Sequence, residues 1–204
     1  MSKAIELASF IRKKSAGASR FMVGIAGAPA SGKSTLAHDI CTALKSMGET
    51  AIVVPMDGFH FDDAILNARG HRSRKGAPYT YDVYGFETLL KRIKACEPEI
   101  AIPVFDRGQE LSRAAADLVD DQTKFILVEG NYLLLKQKPW DRLKPLFDFT
   151  IFLSVSIAEL ERRLIQRWLD HGFDMAYAKN WIASNDLLNI QTMIAESAAA
   201  DLTV

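Results

Sequence analysis

The 204-residue sequence predicts an α/β fold in three layers, a mostly parallel five-stranded sheet with helices on both faces. Three observations predict it. Short apolar runs alternate with segments whose apolar residues recur every three or four positions, the pattern of parallel strands joined by crossover helices. The stretch Gly27-Ala28-Pro29-Ala30-Ser31-Gly32-Lys33-Ser34-Thr35 fits G-x-x-x-x-G-K-[ST] and stands between one such run and one such helix. No repeat, low-complexity segment or linker interrupts the alternation, so residues 1–204 read as one domain.

Residues 3–14 place Ile5, Leu7, Ala8, Phe10 and Ile11 on one side and Lys3, Glu6, Arg12 and Lys13 on the other. That predicts an amphipathic helix which, within residues 1–18, covers the core. Phe21 to Ala26 reads as a buried strand. After the glycine-rich stretch, Leu36, Ile40, Ala43, Leu44 and Met47 keep helical spacing and Gly48 supplies a stop. Thr50 to Met56 is the next strand and ends at Asp57-Gly58-Phe59-His60. From Asp62 to Tyr84 the pattern loosens around Arg69, His71, Arg72, Arg74 and Lys75. Two readings stay open there: a mobile basic loop that rearranges on an anionic group, or an ordinary solvated loop.

Phe86, Leu89, Leu90 and Ile93 predict a short helix, and Ile100 to Phe105 is β-like and delivers Asp106-Arg107 into a turn. Residues 111–122 read as helix by their alanines or as an edge strand by Asp117-Leu118-Val119-Asp120. Lys124 to Val128 is a strongly apolar strand closing at Glu129-Gly130-Asn131, and Phe147 to Leu153 is another. Ser156 and Glu159 form a capping box for a helix with Leu160, Leu164 and Trp168 inward and Arg163 and Arg167 on one face. Two more helical stretches, 175–183 and 185–195, and a final short strand at 201–204 complete the chain.

Composition narrows the function. Twenty-five basic residues balance twenty-five acidic ones, and no aromatic–basic stripe occurs, which argues against a nucleic-acid partner. No apolar run reaches the ~20 residues that span a bilayer, and the first residues lack a signal-peptide core. A cytoplasmic protein without membrane insertion follows, with Cys41 and Cys96 as buried thiols. His60 and His71 lack partners at metal-ligand spacing, against a zinc site.

In the glycine-rich stretch, Gly27 and Gly32 permit a turn whose backbone amides close round phosphate oxygens. Lys33 reaches the outer phosphates, and the Ser34 hydroxyl can ligate Mg²⁺. A guanine-reading Asn-Lys-x-Asp element is absent, and Glu129 stands where motor ATPases carry Asp. A small-molecule kinase needs a base near the acceptor hydroxyl, an acceptor pocket and an arginine-bearing lid. Asp57, the segment 58–107 and the region about 160–180 supply them.

The loop, with Val54-Pro55-Met56-Asp57-Gly58-Phe59-His60, Lys75 to Asp82, Val128 to Leu134 and the late Ser184-Asn185-Asp186 and Asn189, resembles the uridine kinase, pantothenate kinase and phosphoribulokinase group. Within it the chain is most similar to the bacterial branch labelled as fructose transport system kinases. The resemblance implies a P-loop NTPase fold and a kinase that uses ATP and Mg²⁺. It implies transfer to a hydroxyl of a small metabolite, a sugar such as fructose being favoured. The alternatives are a pantothenate- or nucleoside-type kinase and a regulatory P-loop ATPase without acceptor. The implied acid at the acceptor hydroxyl is Asp57; Glu129 and Ser34 would support the metal, and Arg163 and Arg167 would clamp phosphates. Expected acceptor contacts are Asp57, His60, Arg72, Tyr81, Asp82, Asp106, Arg107 and Asn131. The partner is a small molecule, and a homodimer is compatible with the sequence.

Overall fold

The structure, a computed structural model, describes residues 3–204. Five strands form the central sheet: β1 (Phe21–Gly27), β2 (Ala51–Pro55), β5 (Phe125–Gly130), β6 (Phe149–Leu153) and β7 (Leu202–Thr203). Their order is β2-β5-β1-β6-β7, and every pairing is parallel. Burial on both faces explains the unbroken apolar runs, because helices cover each side of a parallel sheet. Alternate residues of β1 serve the two cores. Phe21, Val23 and Ile25 pack with α1 (Lys3–Lys14) and α2 (Lys33–Ser46). Met22 and Ala26 face the other way, toward α4 (Val83–Lys94) and the C-terminal helices α5 (Ile157–Asp170) and α7 (Leu187–Glu196).

The remaining elements lie outside the central sheet. β3 (Ile100–Asp106) and β4 (Leu111–Val119) make a separate antiparallel hairpin outside the central sheet. This resolves 111–122 as strand over its first nine residues. The register slips between Ile102 and Val104, with Pro103, which has no N–H to donate, at the irregularity. α3 (Asp63–Ala68) and two single turns, 72–74 and 78–80, order the loose region. Its basic residues are fastened down. Arg72 and Lys75 pair with Asp63 at 2.6 and 2.7 Å, and Arg74 donates to the Ser184 carbonyl at 2.6 Å.

Three expectations need correction. On α1, Ala4, Leu7, Ala8 and Ile11 carry the burial, and Ile5 and Phe10, expected on the same side, are exposed because they lie at the edge of the covered stripe. Cys96 is half-buried, in the left-handed region (φ 56°) just past α4, where the chain turns out of the helix; only Cys41 is buried. The two late helical stretches are one run: α6 (Met175–Trp181) continues through a wider π-type turn, Ile182–Asp186, into α7. Such turns re-aim side chains, and here Asn185 and Asp186 are turned into the cavity described below.

The hairpin is locked onto the turn after β2 by Gly58. A Cβ at Gly58 would overlap the Pro103 carbonyl, and the Gly58 carbonyl accepts the Ser112 hydroxyl. Gly58→Ala is therefore expected to destabilise the protein by about 1–3 kcal/mol, the usual effect of overpacking, read from urea denaturation.

Candidate active site

The order β2-β5-β1 brings three strand ends side by side. Glu129 is in register with Ile25 of β1 and Pro55 of β2, so the Asp57 turn, Glu129 and the loop after β1 share one crevice. Chain connections diverge on either side of β1, and the crevice at such a point is where open α/β sheets hold ligands.

The loop itself is built to receive an anion. Ala30 (φ 62°) and Gly32 (φ 94°) both adopt the left-handed region, which curls the backbone amides inward. Gly32 begins α2 without a side-chain cap, which leaves the first amides of that helix free of side-chain partners. Lys33 is buried with its Nζ 3.8 Å from Glu129 Oε2.

Glu129 Oε2, Ser31 Oγ and Asn131 Oδ1 are buried and lack a hydrogen-bond partner. Orphaned oxygens in a crevice beside a lysine are groups prepared for a ligand. Burial raises the Glu129 carboxyl above the usual range, while Lys33 pulls the other way. With Ser34 at the head of α2, this oxygen set fits Mg²⁺, which takes few protein ligands and keeps waters and phosphate oxygens.

Asp57 accepts from Arg107 Nη2 at 2.5 Å. Burial works against its charge, but the cations of Lys33 and Arg107, the latter also hydrogen-bonded to it, outweigh it and hold the carboxyl below the usual range. It is ionised at neutral pH. Burial lowers His60, whose ring is then uncharged. Its Nδ1 lies 2.9 Å from the Asp57 carbonyl, which can only accept, so Nδ1 carries the proton and Nε2 is left as an acceptor. Tyr81 and Phe105 hold that ring, with centroids 4.0 and 4.9 Å away.

One cavity of about 460 Å³ collects Lys33, Asp57, His60, Arg107 and Asn131, while Ser31, Ser34 and Glu129 are not among the residues that line it. Of the residues expected to bind acceptor, it is lined by Asp57, His60, Arg72, Tyr81, Arg107 and Asn131, together with Pro29, Ala30, Lys33 and Arg167. The structure does not bring Asp82 or Asp106 into it. Asp82 caps α4 by accepting from Gly85 N–H at 2.9 Å. Asp106 accepts from the Gly108 and Gln109 amides at the hairpin tip and faces Arg113 at 3.4 Å.

The two α5 arginines are placed differently. Arg163 pairs with Glu159 and donates to the loop carbonyls of Ala30 and Ser31 at 3.3 and 3.0 Å. Arg167 lines the cavity, where burial and then Arg107 lower its guanidinium.

The sequence reading missed the far wall. Trp168, Phe173, Tyr177 and Trp181 line the cavity with Lys75, Glu110, Asn185, Asp186 and Asn189. Helical spacing of 173, 177 and 181 was the available signal; Asp174, which caps α6, masks its start. Burial raises Asp186 to about 6, with the Trp168 indole N–H 3.4 Å from its carboxylate. A carboxyl raised above its unfolded value destabilises the fold once ionised. That loss sets in as pH rises from about 4 to 6. Asp186→Asn, which keeps an acceptor for Trp168, should thus be about 1–3 kcal/mol more stable than the parent at pH 8. The difference should vanish at pH 4 in paired urea denaturations.

Comparisons with known proteins bear on this geometry. The family model for the Phosphoribulokinase / Uridine kinase family matches residues 22–185. A Schizosaccharomyces pombe protein named a "putative uridine kinase" is 32% identical over 160 residues, 75% of this chain and 68% of its own length. The pantothenate kinase of Rhodococcus opacus is 33% identical over 158 residues, 73% of this chain; the match spans about half of that protein, 48%. The crystal structure of a "putative fructose transport system kinase" from Silicibacter sp. TM1040 superposes with a TM-score of 0.94 at 39% identity, covering 100% of both chains.

Proposed function

We propose that this chain, which belongs to the Phosphoribulokinase / Uridine kinase family and is a P-loop kinase acting on a small molecule, passes the γ-phosphoryl group of ATP to a hydroxyl of a sugar or sugar-like metabolite. One observation carries the choice of acceptor. Asp57, His60 and Asn131 line the same cavity as Lys33, and each carries a hydrogen-bond acceptor, Asn131 Oδ1 being without a partner, a lining that suits a molecule rich in hydroxyl donors.

In this reading the loop amides and Lys33 bind the β- and γ-phosphates, and Arg167 meets the charge that spreads over the transferring group. Ser34 and Glu129 would hold Mg²⁺, which when bound neutralises charge on the β- and γ-phosphate oxygens. Asp57 fixes the acceptor hydroxyl in line. With Arg107 upon it, this carboxylate is a weak base, and a loose transition state asks for alignment more than for base strength. Arg163 braces the loop from behind through its carbonyls.

A coupled ADP-release assay over sugars, nucleosides and vitamins tests the reading. ADP release that depends on a hydroxylated acceptor is expected. Release that is the same with and without every acceptor would instead mark a nucleotide switch.

A further inference from the structure

Lys75 lines the cavity, yet its ammonium is already engaged by the protein. The side chain is 8% exposed, and Nζ donates to Asp63 Oδ1 at 2.7 Å and to the Glu110 carbonyl at 2.9 Å. Glu110 Oε2 stands a further 3.8 Å away. Two of the three ammonium donors are thereby used, and the third has a carboxylate beside it. Lys33 differs: at 3.8 Å from Glu129 it is beyond hydrogen-bonding distance of that carboxylate. A pocket lysine with its donors occupied positions protein, not ligand.

What Lys75 grips is the tip of the hairpin. Asp106 and Leu111 pair across the ends of β3 and β4, so residues 107–110 form that tip. Arg107 leaves from one end of it to reach Asp57 at 2.5 Å, and Glu110 at the other end takes the Lys75 bond. The bond is to a main-chain carbonyl, so it holds backbone. Glu110 lies in the left-handed region (φ 54°), which a residue with a side chain keeps where its surroundings hold it there. Phe105 carries both cations on its ring, with Lys75 Nζ 5.1 Å and the Arg107 guanidinium 5.7 Å from the centroid.

The root of Lys75 is fixed as well. Its own carbonyl accepts from Asn185 Nδ2 at 3.1 Å. Arg74 before it donates to the Ser184 carbonyl and to Asn189 Oδ1, and the Gly76 carbonyl after it accepts the Tyr132 hydroxyl at 2.6 Å. Lys75 is thus a strut from the π-type turn before α7 to the hairpin tip. Without it the hairpin keeps its fastening at Gly58 through Ser112, while the tip is left to Arg107, a half-exposed side chain.

We propose that Lys75 is a positioning residue for phosphoryl transfer: by holding the tip at Glu110 it sets where Arg107 starts, and so how Arg107 orients Asp57. The inference rests on the kinase reading and adds to it a residue that acts through Arg107.

Lys75→Met and Lys75→Gln both remove the charge. Asp63 retains Arg72 at 2.6 Å, and the Glu110 side chain is 59% exposed, so neither variant leaves a carboxylate buried alone and the fold is expected to hold. The Gly108 and Gln109 amides, which Asp106 Oδ1 holds, should exchange with deuterium about tenfold faster than in the parent, measured by NMR. In the ADP-release assay kcat should fall by about tenfold while the KM for ATP stays within about twofold, the pattern of a misaligned reacting group. Adding Lys75→Met to Arg107→Ala should lower kcat by no more than about twofold further, because the strut then has nothing to aim. Unchanged exchange at the tip, or unchanged kcat in both single variants, would overturn the inference and leave the kinase reading standing. Losses that multiply in full in the double variant would show a general structural role and overturn it too. ADP release in the parent indifferent to every acceptor would overturn the kinase reading and this inference with it.

Discussion

Lys33→Ala is expected to lower kcat/KM by about 10²–10³-fold, the effect of removing one preorganised donor from a developing charge. The lysine is buried beside Glu129 and contributes to the field that keeps Asp57 ionised. Its loss therefore acts twice: a phosphate contact disappears, and two carboxylates face the incoming nucleotide without their common cation. The second effect has its own signature. Both carboxyls should titrate higher, so the acid limb of the pH–rate profile should move to higher pH. Steady-state kinetics across pH, with a thermal melt to verify folding, check both parts. Kinetics unchanged from the parent would refute the phosphate role of the loop.

Asp57→Asn is expected to cut turnover by about 10²–10⁴-fold while the KM for ATP stays within a few-fold. An amide occupies the same space but presents an N–H where the acceptor hydroxyl needs an acceptor. It also releases Arg107, which is half-exposed and anchored through this carboxylate at 2.5 Å. The pH dependence follows from the same pair. Because the folded-state carboxyl lies below its unfolded value, the stabilisation from the pair is present at neutral pH. It is lost only as pH falls through the folded-state value, so the parent should resist mild acid. Single-turnover measurements separate the slowed chemical step from binding; normal turnover in Asp57→Asn would remove the residue from the reaction.

The glycine-rich loop with its flanking strand and helix was legible in the sequence because local chemistry dictates it. Left-handed turns at Gly32, a lysine at fixed spacing and a helix start leave few alternatives, and the flanking strands announce themselves by apolar runs. The rest of the cavity lining was legible only in outline. Asp82 and Asp106 look identical to Asp57 in sequence, each an acid after an apolar or aromatic residue at a turn. Their carboxylates instead satisfy nearby amides, a choice decided by backbone geometry three residues away. Residues 111–119 hid their strand because alanines favour helix, and only pairing with β3 overrides that preference. The aromatic wall was hidden for a different reason: helical periodicity marks which residues share a face but not whether that face meets a core or a cavity.

The hairpin β3–β4 pairs with itself and not with the central sheet, and it reaches the site through Arg107 and Glu110 at its tip. Substitutions there leave the sheet's hydrogen bonds and the phosphate loop untouched. Under the proposed function, acceptor preference can accordingly drift during evolution, or be selected in the laboratory, at little risk to the folded scaffold. Residues 108–110, which leave the Arg107–Asp57 pair intact, are the place to begin a library.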